Sequence, residues 1–237
     1  MTSLEKIVFD LQAKSSPQRA EITKSFFKTG VGEYSHKDEF IGIRVPEIRS
    51  LVHKHQPVSI VDLEALLQHP IHEYRAFALF ALVQRFQRAS KQGNHEEQHF
   101  IYNLYRTHVD HVNNWDLVDS SAHQIVGAYL LDKPRDILYT WTASNNLWHR
   151  RIAIVGTYAF IKANDFVDTI AISRALLGDK EDLMHKAVGW MLREMGKKNI
   201  STLLEFLDST HKSMPRTMLR YAIEKLDAPT RTKYMHK

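Results

Sequence analysis

One helical pattern recurs along this chain in degenerate form, and that recurrence limits the fold more than any other feature. EYRAFALFAL (73–82), WHRRIAIVGT (148–157) and MHKAVGWMLR (184–193) each run from a polar or basic entry into an alanine-rich apolar stretch, and aligning Arg151 with Lys186 sets two of them 35 residues apart. Helical pairs repeating every ~35–40 residues cannot bury their apolar faces alone and must stack on their neighbours. Only 9 of 237 residues are glycine, about half the usual share, as expected where glycine would weaken helices. Alternating apolar and polar runs, the strand signal, do not recur. The fold expected is all-α, an α-solenoid of about seven antiparallel helix pairs, with residues 1–237 forming a single domain.

The periodicity predicts helices near 3–14, 17–28, 45–55, 59–68, 71–89, 95–109, 115–130, 134–143, 147–163, 166–177, 181–196, 200–209, 215–226 and 229–235. Prolines at 17, 46, 57, 70, 134, 215 and 229 punctuate the pattern, several just ahead of a helix where the first turn tolerates them. In SSPQRAEITKSFF, Ser16 is read as the cap, Pro17 as the first turn, and Ile22, Phe26 and Phe27 as inward-facing. Residues 29–43, TGVGEYSHKDEFIGI, form the long irregular segment and hold three of the nine glycines. Loops of this length inside a compact array are often functional.

Composition narrows the function. With no cysteine there is no disulfide, thiolate metal site or cysteine nucleophile. The opening MTSLEKIVFDLQAK reads as an amphipathic helix, so no signal peptide is expected, and no apolar run reaches membrane-spanning length. A soluble, cytoplasmic protein is the expectation. The formal charge is +5, and residues 211–237 carry seven Lys or Arg against Glu224 and Asp227, so the surplus sits in the tail. This balance favours a polyanionic partner, although a solvated lysine-rich terminus would look the same. No glycine-rich phosphate loop or serine elbow is present.

Three segments could carry chemistry. In NNWDLVDSSAH (113–123), Asn114 is read as the cap, and Val118, Ala122, Ile125 and Tyr129 as the buried stripe. Trp115 and Asp119 then stack four apart beside that stripe, an aromatic plane next to a carboxylate, which suits a cationic group. Asp116 falls in the first turn and is read as complementing the helix N-terminus. In SNNLWHRRIAIV (144–155), Ser144 or Asn145 is the expected cap. Trp148 and Arg151 lie three apart on one side, whereas Arg150 points about 100° away. In HKAVGWMLREMGKK (185–198), Lys186, Trp190 and Glu194 share a face with Lys197 close by, while Val188 and Leu192 point elsewhere. Three tryptophans with charged neighbours on successive repeats would line one concave wall. A rival signature, His95, Glu96 and His99 in HEEQH, matches a zinc-protease pattern. It follows SKQGN, in an exposed first turn, so no metal is expected there.

These segments, together with FFKTGVGEY and FIGIRVPEIR near the start, resemble in order and spacing the AlkD-type family of DNA alkylation-repair glycosylases. The resemblance implies that the solenoid is HEAT-like or ARM-like, and that the chain is a glycosylase that removes cationic alkylated purines, 3-methyladenine and 7-methylguanine, from duplex DNA, working as a monomer without metal or cofactor. It also implies that Asp119 is the catalytic carboxylate, that Trp115 and Trp190 contact the lesion's deoxyribose, and that Arg151 is a backbone ligand. Arg150, Trp148, Lys186, Lys197 and Phe26 complete the DNA-binding set. Phe26 stands where the family often has tyrosine, so the ring is kept without its hydroxyl. A second reading, in which the chain is a non-catalytic HEAT-like scaffold binding damaged or branched DNA or a protein partner, is opposed by the retained Trp115, Asp119, Arg151 and Trp190.

Overall fold

The structure, a computed structural model, describes every residue except Lys37, His236 and Lys237. Every regular element among the described residues is a helix, the helices are joined by turns and loops, and an isolated bridge joins Glu39 and Ile71. The chain divides into two compact units, Met1–Ser121 and Ala122–Lys237. The all-α class with paired helices read from the sequence is what the structure has.

The first unit contains α1 (Ser3–Gln12), α2 (Pro17–Phe27), α3 (Val45–His55), α4 (Ile60–Leu67), α5 (His72–Lys91) and α6 (His95–Thr107), and α7 (Trp115–Ala122) ends at its boundary. Helix α5 is its centre. Every residue from His72 to Val83 is buried, as expected of a helix surrounded on all sides, and it packs against α3, α4 and α6. Helix α2 starts as expected, with the Ser16 hydroxyl accepting from Arg19 N at 3.4 Å. Its inner face differs from the expectation, because Ile22 and Phe26 are exposed (66% and 65%) and only Phe27 of the three is buried. The inner line of α2 runs through Ala20 and Phe27, seven residues or about two turns apart, which turns positions 22 and 26 outward.

The segment between α2 and α3 is irregular, as the sequence suggested. It is fastened by Glu73, whose buried carboxylate accepts from the backbone N–H groups of Ile41 (3.1 Å), Gly42 (2.7 Å) and Ile43 (3.2 Å). At Gly42 φ is +78°, and a Cβ would lie 2.3 Å from the Ser16 carbonyl oxygen, so the close approach of this loop to α2 requires glycine.

The second unit opens with a π-helical turn at His123–Gly127 and continues through α8 (Asp136–Thr142), α9 (Leu147–Gly156), α10 (Tyr158–Lys162), α11 (Val167–Ala175), α12 (Asp182–Lys198), α13 (Ile200–Thr210), α14 (Arg216–Ala222) and α15 (Ala228–Met235). Helix α12 is its hub, packed on α9, α10, α11, α13 and α14. Gly189 lets α14 come close: a Cβ there would sit 2.5 Å from the Met218 carbonyl oxygen. Two helices expected as continuous are interrupted, 115–130 by the π turn after Ala122 and 147–163 near Thr157, whose hydroxyl donates back to Ile154 O at 2.7 Å. Such back-bonding bends helices.

No helix among the described residues is long and apolar enough to cross a membrane. His95 opens α6 on the exposed surface. No cluster of three metal-ligating side chains occurs among the described residues.

Candidate functional site

Asn114 is the hinge on which the first unit's site is built. It is fully buried, its backbone carbonyl accepts from Val118 N at 3.0 Å as α7 begins, and its side-chain oxygen accepts from Trp115 N at 2.8 Å. Its amide nitrogen donates to Ser35 Oγ (2.6 Å) and Asp38 Oδ2 (2.8 Å), anchoring α7 to the irregular segment. Val118, Ala122, Ile125 and Tyr129 are buried as the stripe predicted. Trp115 and Asp119 are half-buried on the flank beside that stripe.

Trp115 is held in an aromatic stack. Phe27 lies parallel to it at 5.3 Å with an interplanar angle of 18°, and Phe26 meets it edge-on at 5.9 Å. Phe27 continues the stack to Phe40 at 5.0 Å, and Phe40 to the His72 ring at 4.8 Å. Of the expected residues, the first unit therefore brings Phe26 and Trp115 together, with Asp119 one turn along the same helix.

His72, Asp38, Arg75 and Glu73 were not singled out from the sequence. His72 Nε2 lies 2.8 Å from Asp116 Oδ2, and Nδ1 lies 3.6 Å from Asp38 Oδ2. Arg75 donates to Asp38 Oδ1 at 2.7 Å. Burial opposes a charged imidazole, but the two carboxylates outweigh it and push the His72 pKa up to about 9. Burial would likewise raise the Asp38 carboxyl, yet the nearby His72 ring, the Arg75 charge and the Asn114 hydrogen bond hold it below its usual value. Asp116 thus does more than complement the helix N-terminus: Oδ1 accepts from Leu117 N at 2.8 Å while Oδ2 faces the imidazole. Beside this cluster is a cavity of about 400 Å³, bordered by Phe27, Phe40, His72, Asp116, Arg19 and Arg44.

In the second unit, α9 is capped by Asn146, whose side chain accepts from Trp148 N at 2.9 Å, rather than by Ser144 or Asn145. Ser144 Oγ instead accepts from Asn146 N at 3.1 Å, one step earlier in the turn. Trp148 and Arg151 are both buried, at 8% and 4% exposure. The Arg151 guanidinium donates to the Leu183 carbonyl at 2.5 Å, so any phosphate it met would approach a group already fixed in place. Arg150 is half-buried and pairs with Asp179 at 2.7 Å while donating to Ser144 O and Asn145 O.

On α12, Trp190 is half-buried beside Tyr158 (6.0 Å), which meets His123 edge-on at 5.1 Å and carries Lys162 over its ring at 4.5 Å. Burial, with help from Lys162, lowers the His123 pKa to about 4. Lys186 pairs with Asp182 at 2.7 Å, and Lys197 with Glu194 at 2.7 Å. Several tail cations also meet partners: Lys225 pairs with Glu224 (2.9 Å) and Lys233 with Asp208 (3.2 Å). Lys237 lies outside the described residues.

A solved structure titled as a predicted DNA alkylation repair enzyme from Enterococcus faecalis matches 91% of this chain and 98% of its own, with a TM-score of 0.69 and 20% sequence identity. At that identity the likeness shows the fold alone. No curated protein matches the chain. The model of the DNA alkylation repair enzyme family matches residues 7–226, nearly the whole length. By that match, spanning both the Trp115 and the Trp190 segments, the chain belongs to the DNA alkylation repair enzyme family.

Proposed function

We propose that this protein is a monofunctional DNA glycosylase that hydrolyses the N-glycosidic bond of cationic alkylated purines, 3-methyladenine and 7-methylguanine, in duplex DNA and so initiates base excision repair. The observation that carries the reading is the flank of α7, where a half-buried indole and a half-buried carboxylate, Trp115 and Asp119, stand one turn apart beside the exposed ring of Phe26.

Cleavage of such a bond develops positive charge on the sugar. Alkylation at N3 or N7 makes the purine cationic, so it departs neutral and needs no general acid. One carboxylate then suffices: Asp119 stabilises the sugar cation and orients water, while Trp115 and Trp190 present aromatic faces to a positively charged deoxyribose edge. Preorganised groups of this kind contribute about 10²–10³ in rate each. Arg151, Arg150, Trp148, Lys186 and Lys197 are assigned to the DNA backbone. The reading gives the protein no cofactor and has it act as a monomer.

The test is release of 3-methyladenine and 7-methylguanine from methylated duplex. Wild type is expected to release both, and Asp119→Asn to lose about 10²–10³ in rate while still binding duplex. If wild type binds methylated duplex and releases no base, a scaffold role replaces the enzyme.

A further inference from the structure

Two independent tethers converge on Trp115, and both pass through His72. The first is polar. Asp116, the residue after Trp115, takes His72 Nε2 at 2.8 Å, and Asn114, the residue before it, donates at 2.8 Å to Asp38, which faces His72 Nδ1 at 3.6 Å. The backbone on either side of the indole is thus fixed to one imidazole and its carboxylate partner. The second is aromatic. The His72 ring lies 5.1 Å from Phe27 and 4.8 Å from Phe40, and Phe27 is stacked on the indole at 5.3 Å. His72 is 3% exposed, its ring edging the cavity shared with Phe27 and Asp116, and its close contacts are with the groups that hold Trp115 rather than with Trp115 itself.

We propose that His72, bridging Asp38 and Asp116, is a positioning residue that sets the plane of the Trp115 ring at the substrate-facing flank of α7. The assignment rests on the glycosylase reading for what Trp115 faces, but the geometric claim concerns the free protein. A charged imidazole attracts both carboxylates at once, by a hydrogen bond at 2.8 Å to Asp116 and by charge across 3.6 Å to Asp38, whereas a neutral one keeps a single proton and loses that double attraction. The charged groups around it are Asp116 from α7, Asp38 from the irregular segment, and Arg75 on its own helix, which opposes the proton. Glu73, the next residue on that helix, is turned to the backbone of residues 41–43. Helix α2 contributes the Phe27 ring to this contact, and its Arg19 borders the same cavity as His72 and Asp116.

The test uses full-length protein labelled with 5-fluorotryptophan, the Trp115 resonance being identified by its loss in Trp115→Phe. In wild type without DNA, the Trp115 fluorine signal is expected to move with pH about a midpoint near 9. Asp116→Asn should bring that midpoint down by more than one pH unit, and His72→Gln should abolish the titration. His72→Gln should also slow single-turnover base release by about tenfold or more, as a small misplacement of a site group does, while affinity for unmodified duplex stays within about twofold. A Trp115 signal that does not titrate in wild type, or is unmoved in folded Asp116→Asn, overturns the proposal. A titrating signal in a protein that releases no base overturns the glycosylase reading and leaves the His72–Trp115 linkage standing.

Discussion

His72 and Asp116, 44 positions apart in the chain, meet at 2.8 Å inside the first unit. Their pairing has a consequence for stability. With its pKa pushed up to about 9, His72 binds a proton more tightly folded than unfolded, so its contribution is full below pH ~6.5 and fades as pH rises towards 9. His123 works in the opposite sense. Its pKa is lowered to about 4, so folding rejects a proton that the unfolded chain binds, and stability rises from pH 4 to about 6.5. Stability is expected to peak near pH 6.5. Thermal melts from pH 4 to 9.5 should show both limbs. His72→Gln should flatten the alkaline limb, on the order of 3 kcal/mol; an unchanged alkaline slope in that variant would remove His72 from the account.

Glu73 anchors the irregular segment with one carboxylate turned on three successive backbone N–H groups. Glu73→Gln keeps the shape but presents an amide N–H₂ where only acceptors fit. A loss of about 2–3 kcal/mol is expected, the scale of hydrogen bonds to a buried charge. Hydrogen exchange at residues 41–43 should accelerate in this variant ahead of the α5 core. Equal protection in both proteins would mean the loop is held by something else.

How much of this was legible beforehand depended on distance along the chain. Helix α3 and the stripe Val118, Ala122, Ile125 and Tyr129 were read correctly because an apolar period within one helix is a local signal. The Trp115–Asp119 pair was legible for the same reason, since i and i+4 fix a shared face. The outward turn of Ile22 and Phe26 was not, because α2 has just two buried positions and its apolar residues do not mark the inner side. Nor was the Asp38–His72–Asp116 line, whose members come from three segments. An HEYR opening run directly into the apolar stretch AFALFALV was the available hint: charged residues that deep are rarely buried without partners.

Phe26 is the most exposed of the aromatic set around Trp115, at 65%. Removing its ring should cost little stability, within about 0.5 kcal/mol. If the ring faces substrate, Phe26→Ala should still slow base release by about tenfold. Phe26→Tyr, which restores the hydroxyl, should match or exceed wild type. Melting temperature and single-turnover rate measured side by side separate the two effects. Equal rates for Phe26→Ala and wild type would take Phe26 out of the DNA-facing set.

Arg151 and Lys186 are assigned the same task from opposite environments, and the contrast decides what each variant should do. Arg151 is 4% exposed and donates to the Leu183 carbonyl, so Arg151→Ala strips a buried acceptor of its charged donor and should cost about 1.5–3 kcal/mol of stability. Lys186 has a side chain 41% exposed and a partner in Asp182, a pairing of the kind that contributes little. Lys186→Ala should therefore melt within about 0.5 kcal/mol of wild type. If each cation meets a phosphate, each variant lowers the slope of log affinity against log salt by about one, measured on unmodified duplex where both remain folded. A destabilised Arg151→Ala with an unchanged salt slope would make Arg151 a structural tie between α9 and the start of α12, and would leave the backbone contacts to exposed lysines such as Lys186.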